Sequence, residues 1–130
     1  MNKSLKEKAV SIKGKLYVPV SERVLYFNQE YPDGSITTEL LSAPEAKHIV
    51  VKATVTPHTI QDRRGRVFIG HSQAVIGEGM VNKTAALENA ETSAVGRALA
   101  MMGIGVIESI ASADELAKSG VATAKDEDIF

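Results

Sequence analysis

The arginines of this chain are the residues whose types and spacing best suit binding chemistry. Arg63, Arg64 and Arg66 cluster where a hairpin tip is expected, and Lys83 and Arg97 stand near the two ends of a predicted helix. A guanidinium is planar and can donate two parallel hydrogen bonds to one phosphate group. A series of such cations binds nucleic-acid backbones without reading their sequence. For Arg97, which stands among apolar residues, a salt bridge across the helix face is an equally good interpretation.

The remaining polar residues do not form a recognisable catalytic or metal-binding pattern. His48, His58 and His71 are separated from one another and the chain has no cysteine, so ordinary surface or strand roles are the better interpretation. Glu88 and Glu91 are one helical turn apart and could hold a metal, but roles on the surface and toward the helix dipole are favoured. We therefore expect a protein that is not an enzyme and that needs no metal or cofactor.

Composition and charge limit the class of protein and its partners. The 130 residues are enough for one domain, and with no Trp and few Phe its core should be aliphatic. Residues 1–107 carry a net charge of +3 and residues 108–130 a net charge of −4. A mildly basic body with an acidic tail is one indication of a polyanionic partner, and a merely solvated surface explains it equally well. The polar N-terminus and the lack of a long apolar run predict a cytoplasmic protein without a membrane segment.

The longest helical pattern covers residues 84–102 and should position Lys83 and Arg97. Thr84 can cap its first turn, and the glycines at 103 and 105 are typical of a helix end. Small and apolar side chains recur every three or four residues, at Leu87, Ala90, Ala94, Ala98 and Met101. Gly96 inside the helix costs about 1 kcal/mol relative to alanine, so we expect another part of the chain to approach closely there.

A short helix over residues 22–31, capped by Ser21, and three strands precede this helix. The strands are predicted at 35–42, 48–56 and 66–77, and the second alternates apolar and polar residues most clearly. Small residues in the third strand, around Gly70, leave room for the alanine-rich helix. The predicted fold class is α+β: a three-stranded antiparallel β-meander with a long helix packed across it, a short helix before the sheet, and a disordered acidic C-terminal tail. We expect a basic N-terminal arm at 1–16, a core domain at 17–107, and a short helix and acidic tail at 108–130.

Two segments carry a resemblance to a known family. Residues 86–105 read ALENAETSAVGRALAMMGIG and residues 21–40 read SERVLYFNQEYPDGSITTEL. The first resembles the signature helix of the Rad-fifty-two-like single-strand annealing proteins, including phage recombination proteins. The second is similar to that family's early helix and first strand. Together with the order of elements, the resemblance covers roughly residues 17–105.

The resemblance implies a β-β-β-α core that assembles into rings or filaments and holds single-stranded DNA in a basic groove. Position by position, Arg23 matches the groove arginine before the early helix and Arg97 a groove-lining residue of the long helix. Lys83 falls near a lysine of a second, outer DNA site. The chain departs from the pattern at Gly96 and Ala100, where the family has further basic residues, so its groove is less basic. The hairpin arginines or the N-terminal lysines are candidates to compensate.

The C-terminal residues carry a second, shorter resemblance. Lys125 is followed by Asp126, Glu127, Asp128, Ile129 and Phe130, which is similar to the acidic, Phe-terminated end of bacterial and phage single-stranded-DNA-binding proteins. The five residues 126–130 are therefore predicted to bind a protein partner. A chance acidic tail is an equally good interpretation.

These observations lead to one function and two alternatives. The first is ATP-independent binding and annealing of single-stranded DNA in phage-type homologous recombination. The protein would be a homo-oligomer in the host-cell cytoplasm, with a phage exonuclease or replication protein as a possible partner. The second is a protective single-stranded-DNA-binding protein that recruits partners through its tail. The third is an interaction protein that keeps the fold without binding DNA.

Overall fold

The computed structural model describes residues 3–43, 45–59, 65–77 and 83–106, and it confirms the predicted α+β fold. The elements in chain order are α1 (Lys3–Lys6), β1 (Val10–Ile12), β2 (Lys15–Tyr17), α2 (Val20–Glu30), β3 (Ser35–Leu40), β4 (His48–Thr56), β5 (Phe68–Val75) and α3 (Lys83–Met101). Strands β3, β4 and β5 form an antiparallel sheet in that order, and β1 and β2 form a separate hairpin. The short helix and acidic tail predicted at 108–130 lie outside the described residues.

Strand β4 is the centre of the sheet, and its alternating sequence sets the two faces. Ile49, Val51, Ala53 and Val55 are buried, while the residues between them are less buried or exposed. Because β4 pairs with β3 on one side and β5 on the other, this register fixes which residues of all three strands face inward. Gly70 of β5, for example, lies opposite Ala53. The predicted strand 48–56 is confirmed at both ends.

Helix α3 packs on the inner face of the sheet at very short range. A Cβ atom added to Gly70 would lie 2.5 Å from both the carbonyl oxygen of Ala94 and the amide nitrogen of Ala98. The helix side of this contact is a row of buried small residues, Ala86, Ala90, Ala94 and Ala98. Small side chains on both partners allow this approach, as the small-residue strand around Gly70 predicts.

The buried stripe of α3 differs from the predicted one at its two ends. Leu87 and Met101 are 40% and 57% exposed, whereas Ala86 is buried in addition to the predicted Ala90, Ala94 and Ala98. The close approach is the physical reason, because it favours a contact row of alanines four residues apart and turns the bulky Leu87 away from the sheet. The helix also begins at Lys83, so Thr84 lies inside its first turn rather than at the cap.

The glycines that follow α3 end the helix as predicted. Gly103 and Gly105 have φ angles of 95° and 81°, a left-handed conformation that glycine adopts without strain. The amide of Gly103 donates to the carbonyl of Ala100, and that of Ile104 donates to the carbonyl of Leu99. These bonds satisfy carbonyl groups of the last turn and end the helix.

Helix α2 begins at Val20, two residues before the start predicted at Glu22. Ser21 therefore lies inside the helix and is not its cap. Pro19 occupies the cap position, and its carbonyl accepts the amides of Glu22 and Arg23. Proline suits this place because its fixed φ is compatible with a helix start and its missing N–H is not needed there. Further along, Phe27 is buried in the hydrophobic core.

The N-terminal residues, assigned above to a basic arm, pack on the domain. Lys13 and Gly14 both have positive φ angles, 52° and 83°, and form the turn of the β1–β2 hairpin. Leu5, Ile12 and Tyr17 are buried, whereas the lysines at 6, 8 and 15 are exposed. The segment therefore contributes to the core and displays cations around it. In the described part of the chain, no helix is long and apolar enough to cross a membrane.

The close packing of α3 on β5 can be tested by one methyl group. We expect Gly70→Ala to lower the free energy of unfolding by about 3 kcal/mol, because the added methyl would overlap helix backbone. His71→Ala is the matched control, since His71 is the next residue of β5 and lies on the exposed face, where the change should stay within about 0.5 kcal/mol. Urea unfolding measures both variants. Equal stability of the two would contradict the close approach.

Candidate nucleic-acid interface

Arg23 is the only charged residue buried among the described residues, and it joins three parts of the fold. Its Nε donates to the carbonyl oxygen of Val18 at 3.0 Å, and its Nη1 donates to the carbonyl oxygen of Gly96 at 2.9 Å. Its Nη2 donates to the hydroxyl of Tyr17 at 2.9 Å. One guanidinium therefore connects the end of β2, helix α2 and the middle of helix α3.

Two glycines make the space that this side chain occupies. A Cβ atom added to Gly96 would lie 3.1 Å from Nη2 of Arg23 and 2.8 Å from a methyl group of Val20. At Gly105 an added Cβ would overlap the aliphatic part of Arg23. The sequence prediction that something approaches closely at Gly96 is confirmed, and the approaching groups are a methyl group of Val20 and the guanidinium of Arg23.

The hydrogen-bond partners of Arg23 are all neutral. Burial lowers the pKa of Arg23 from its ordinary value, while the charge interaction and hydrogen bond with Tyr17 act in the opposite direction. The guanidinium also lies over the Tyr17 ring, 5.3 Å from its centre. Arginine stays protonated in proteins, so the domain holds a positive charge in its interior. With 4% of its surface exposed, Arg23 has a structural role here, and its predicted contact with DNA stays a prediction.

The structure places the other predicted groove residues on α3. Arg97 follows Gly96 and is half-buried, and its Cβ lies against the strand position of Gly70. Lys83 is the first residue of the helix. A role in nucleic-acid binding stays a prediction for both. On the same helix, Glu91 accepts a hydrogen bond of 2.6 Å from the hydroxyl of Thr38 in β3.

Of the hairpin arginines, Arg66 belongs to the described residues, and Arg63 and Arg64 lie outside them. Arg66 is exposed, and its guanidinium carbon lies 4.9 Å from the centre of the Phe68 ring. A cation–π contact at an exposed site contributes about 0.5–1 kcal/mol, so the ring favours this position of the guanidinium.

Arg66 also lines a cleft that sequence reasoning missed. The cleft has a volume of about 490 Å³ and lies between the residues that follow α2, β4 and α3 and those at the start of β5. Its lining consists of aromatic, basic and apolar residues: Tyr31, Pro57, His58, Gly65, Arg66, Phe68 and Met102. These residues are far apart in sequence, so no local pattern could have brought them together.

A family model described as Slr1353 N-terminal dsRNA-binding domain-like matches residues 24–102, more than half of the chain. The chain belongs to this family. The match begins within α2 and ends one residue after α3, so it covers the last seven residues of α2, the three strands and the long helix. No curated protein and no solved structure gives a significant match. The resemblance to the Rad-fifty-two-like proteins and the absence of enzyme activity both stay predictions.

The structural role of Arg23 predicts the effect of a change that keeps its charge. We expect Arg23→Lys to lower the free energy of unfolding by about 2–4 kcal/mol, because an ammonium group cannot reach the three buried acceptors together. Arg66→Lys on the surface is the matched control and should change stability by about 0.5 kcal/mol or less. Thermal and urea unfolding measure both. A stable Arg23→Lys variant with intact folding would contradict the structural role.

Proposed function

We propose that this protein binds nucleic acid through the unit from α2 to α3, and that double-stranded RNA is the ligand it prefers. The observation that carries the proposal is the family match, because it covers this unit and the family's description is dsRNA-binding domain-like. Domains of the double-stranded-RNA-binding type contact the 2′-hydroxyls and phosphates of about 16 base pairs and recognise shape more than sequence. Such recognition requires positioned cations and no catalytic group.

The distribution of charge supports contact with a backbone. The N-terminal segment displays exposed lysines at positions 6, 8 and 15, and Lys8 is within 3.7 Å of Glu22 on α2. Arg66 adds an exposed cation at the end of the sheet. Phosphate contacts of this kind supply most of the affinity of sequence-independent binding.

The outer face of the sheet supports a duplex ligand in a different way. Its strands present polar and aliphatic residues there, including Thr37, Lys52, Thr54, His71 and Gln73. Sheets that bind single strands across their face use aromatic rings for base stacking, those of Phe, Tyr, Trp or His. Phe68, the one Phe, Tyr or Trp of these three strands, lies on the inner side with Val55, and the rings on the outer face are those of His48 and His71. With two histidines and no larger aromatic ring, the outer face is poorly suited to stacking the bases of a single strand.

Binding and annealing of single-stranded DNA is the second candidate function. The segment 86–105 favours it through its resemblance to the annealing proteins, and the order of three strands and a long helix is compatible with it. This candidate includes the homo-oligomeric ring or filament, the phage recombination partner and the docking role of residues 126–130. A protective coating protein and a fold that has lost DNA binding are the remaining alternatives.

A titration separates these candidates. Labelled double-stranded RNA, double-stranded DNA and single-stranded DNA of equal length are titrated with the protein at two salt concentrations. We expect the tightest binding to double-stranded RNA, with the logarithm of the association constant falling linearly with the logarithm of salt concentration. In duplex DNA each phosphate contact contributes about 0.9 to that slope, so an appreciable slope reports a cationic surface.

Other outcomes of the same titration have defined meanings. Tighter binding to single-stranded DNA, faster pairing of complementary strands, and light scattering from a particle larger than a dimer would together support annealing over duplex-RNA binding. Failure to bind any of the three ligands at low salt would contradict both candidates and support a non-binding interaction protein.

A further inference from the structure

Binding of the nucleic-acid backbone does not require the cleft beside Arg66. We propose that it binds an unpaired nucleobase of the nucleic acid, such as one at a strand end or in a single-stranded overhang, with the adjoining phosphate on Arg66. The proposal rests on the proposed function and specifies a second kind of contact for the same ligand. Three observations carry it: fixed aromatic rings, tied backbone segments and a cation placed on a ring.

The aromatic rings that line the cleft are held in place by contacts with other rings. Tyr31 stacks on Phe27, with ring centres 5.1 Å apart and planes at 27°, and Phe27 itself is buried. The ring of His58 meets Tyr31 edge-on at 5.7 Å. Rings that are already positioned lose little freedom when a planar ligand binds. A base can therefore stack here without reorganisation of the wall.

The backbone segments that carry these rings are tied to one another. The amide of Thr59 donates to the carbonyl of Asp33 at 3.2 Å, and the Thr59 hydroxyl donates to the same oxygen. Nδ1 of His58 lies 3.7 Å from the Asp33 carboxylate. An added Cβ at Gly34 would meet the carbonyls of Thr56 and Pro57 within 2.9 Å, so the turn after α2 sits directly on the end of β4. The cleft is thus a preformed feature of the fold.

Arg66 completes the site as a cation beside an aromatic ring. Its guanidinium lies over Phe68, and its exposed position leaves donors for a phosphate. Guanidinium planes also stack on bases in proteins that bind single-stranded RNA. A nucleotide combines a flat apolar ring with an anion next to it, which matches an aromatic cleft bordered by a cation.

The size and lining of the cleft fit a base better than an ion or a paired base. The volume of about 490 Å³ lies within the range of about 300–1,000 Å³ that is usual for small-molecule sites. Pro57 and Met102 add apolar surface around the rings. A base inside a duplex is already stacked on both faces, so only an unpaired base is available to enter.

The test uses one duplex RNA in three forms: blunt, with a short single-stranded overhang, and with the same overhang lacking its bases. The abasic overhang keeps the phosphates and removes only the stacking surface. We expect the wild-type protein to bind the intact overhang about tenfold more tightly than the abasic one, as for one stacked base. His58→Ala should reduce this ratio, whereas Arg66→Gln should weaken the binding of both overhangs alike, because both keep the phosphate that Arg66 contacts. His71→Ala and Lys52→Gln, on the outer sheet face, are the matched controls and should keep the ratio.

The outcomes distinguish this inference from the proposed function. Binding of the blunt duplex with equal affinities for the two overhangs would overturn the base site and leave duplex binding intact. A ratio that persists in His58→Ala, or an Arg66→Gln variant that binds both overhangs as tightly as the wild type, would place the nucleotide elsewhere and also overturn it. A free nucleoside monophosphate that displaces the overhang with equal affinity would identify a mononucleotide site and overturn the assignment to a nucleic-acid end. No binding of any form would contradict the proposed function itself.

Discussion

The buried guanidinium of Arg23 is the interaction on which the arrangement of this domain depends. Removing a charge from water costs several kcal/mol even after relaxation, and here the charge is held by two carbonyl groups, one hydroxyl and one aromatic ring. Each hydrogen bond to a charged group returns about 1.5–3 kcal/mol. The balance holds only while all three acceptors stay in place, so the guanidinium fixes helix α2 against helix α3.

This constraint explains the two glycines that face Arg23. Gly96 interrupts a helix at a place where alanine would favour helix formation by about 1 kcal/mol, and its missing side chain makes room for the guanidinium. Gly105 makes room for the aliphatic part of the same side chain. On the opposite side of α3, Gly70 has the corresponding role toward the sheet. The long helix is therefore held between two close contacts, and each requires a residue without a side chain.

The fold could be predicted from the sequence where the signal was local. The alternation of residues 48–56 placed β4 correctly, and the small residues around Gly70 and at Gly96 indicated close approach on both sides of the long helix. The partner at Gly96 could not be predicted, because Arg23 is 73 positions away and no periodic pattern connects the two. The short N-terminal hairpin was missed because each of its strands has only three residues.

The candidate site shows the same limit more strongly. The hairpin arginines stood out as a cluster in sequence, whereas Tyr31, His58 and Phe68 come from three separate segments and meet only in the folded chain. Arg66 and Phe68 are close in sequence, but this spacing does not predict that they line the same cleft. Residue type alone does not predict burial. In the sequence Arg23 therefore resembles a ligand-binding residue, although the folded chain buries its side chain and satisfies it with three hydrogen bonds.

Arg23 holds α2 and α3 together from inside the domain, and NMR spectroscopy of its side-chain Nε–H group tests this most directly. We expect a resolved resonance that exchanges slowly with solvent, because this N–H donates to the buried carbonyl of Val18. The resonance should also stay in place when the protein is saturated with duplex RNA. Rapid exchange in the free protein, or a large shift on addition of RNA, would contradict the structural role and make Arg23 a contact residue.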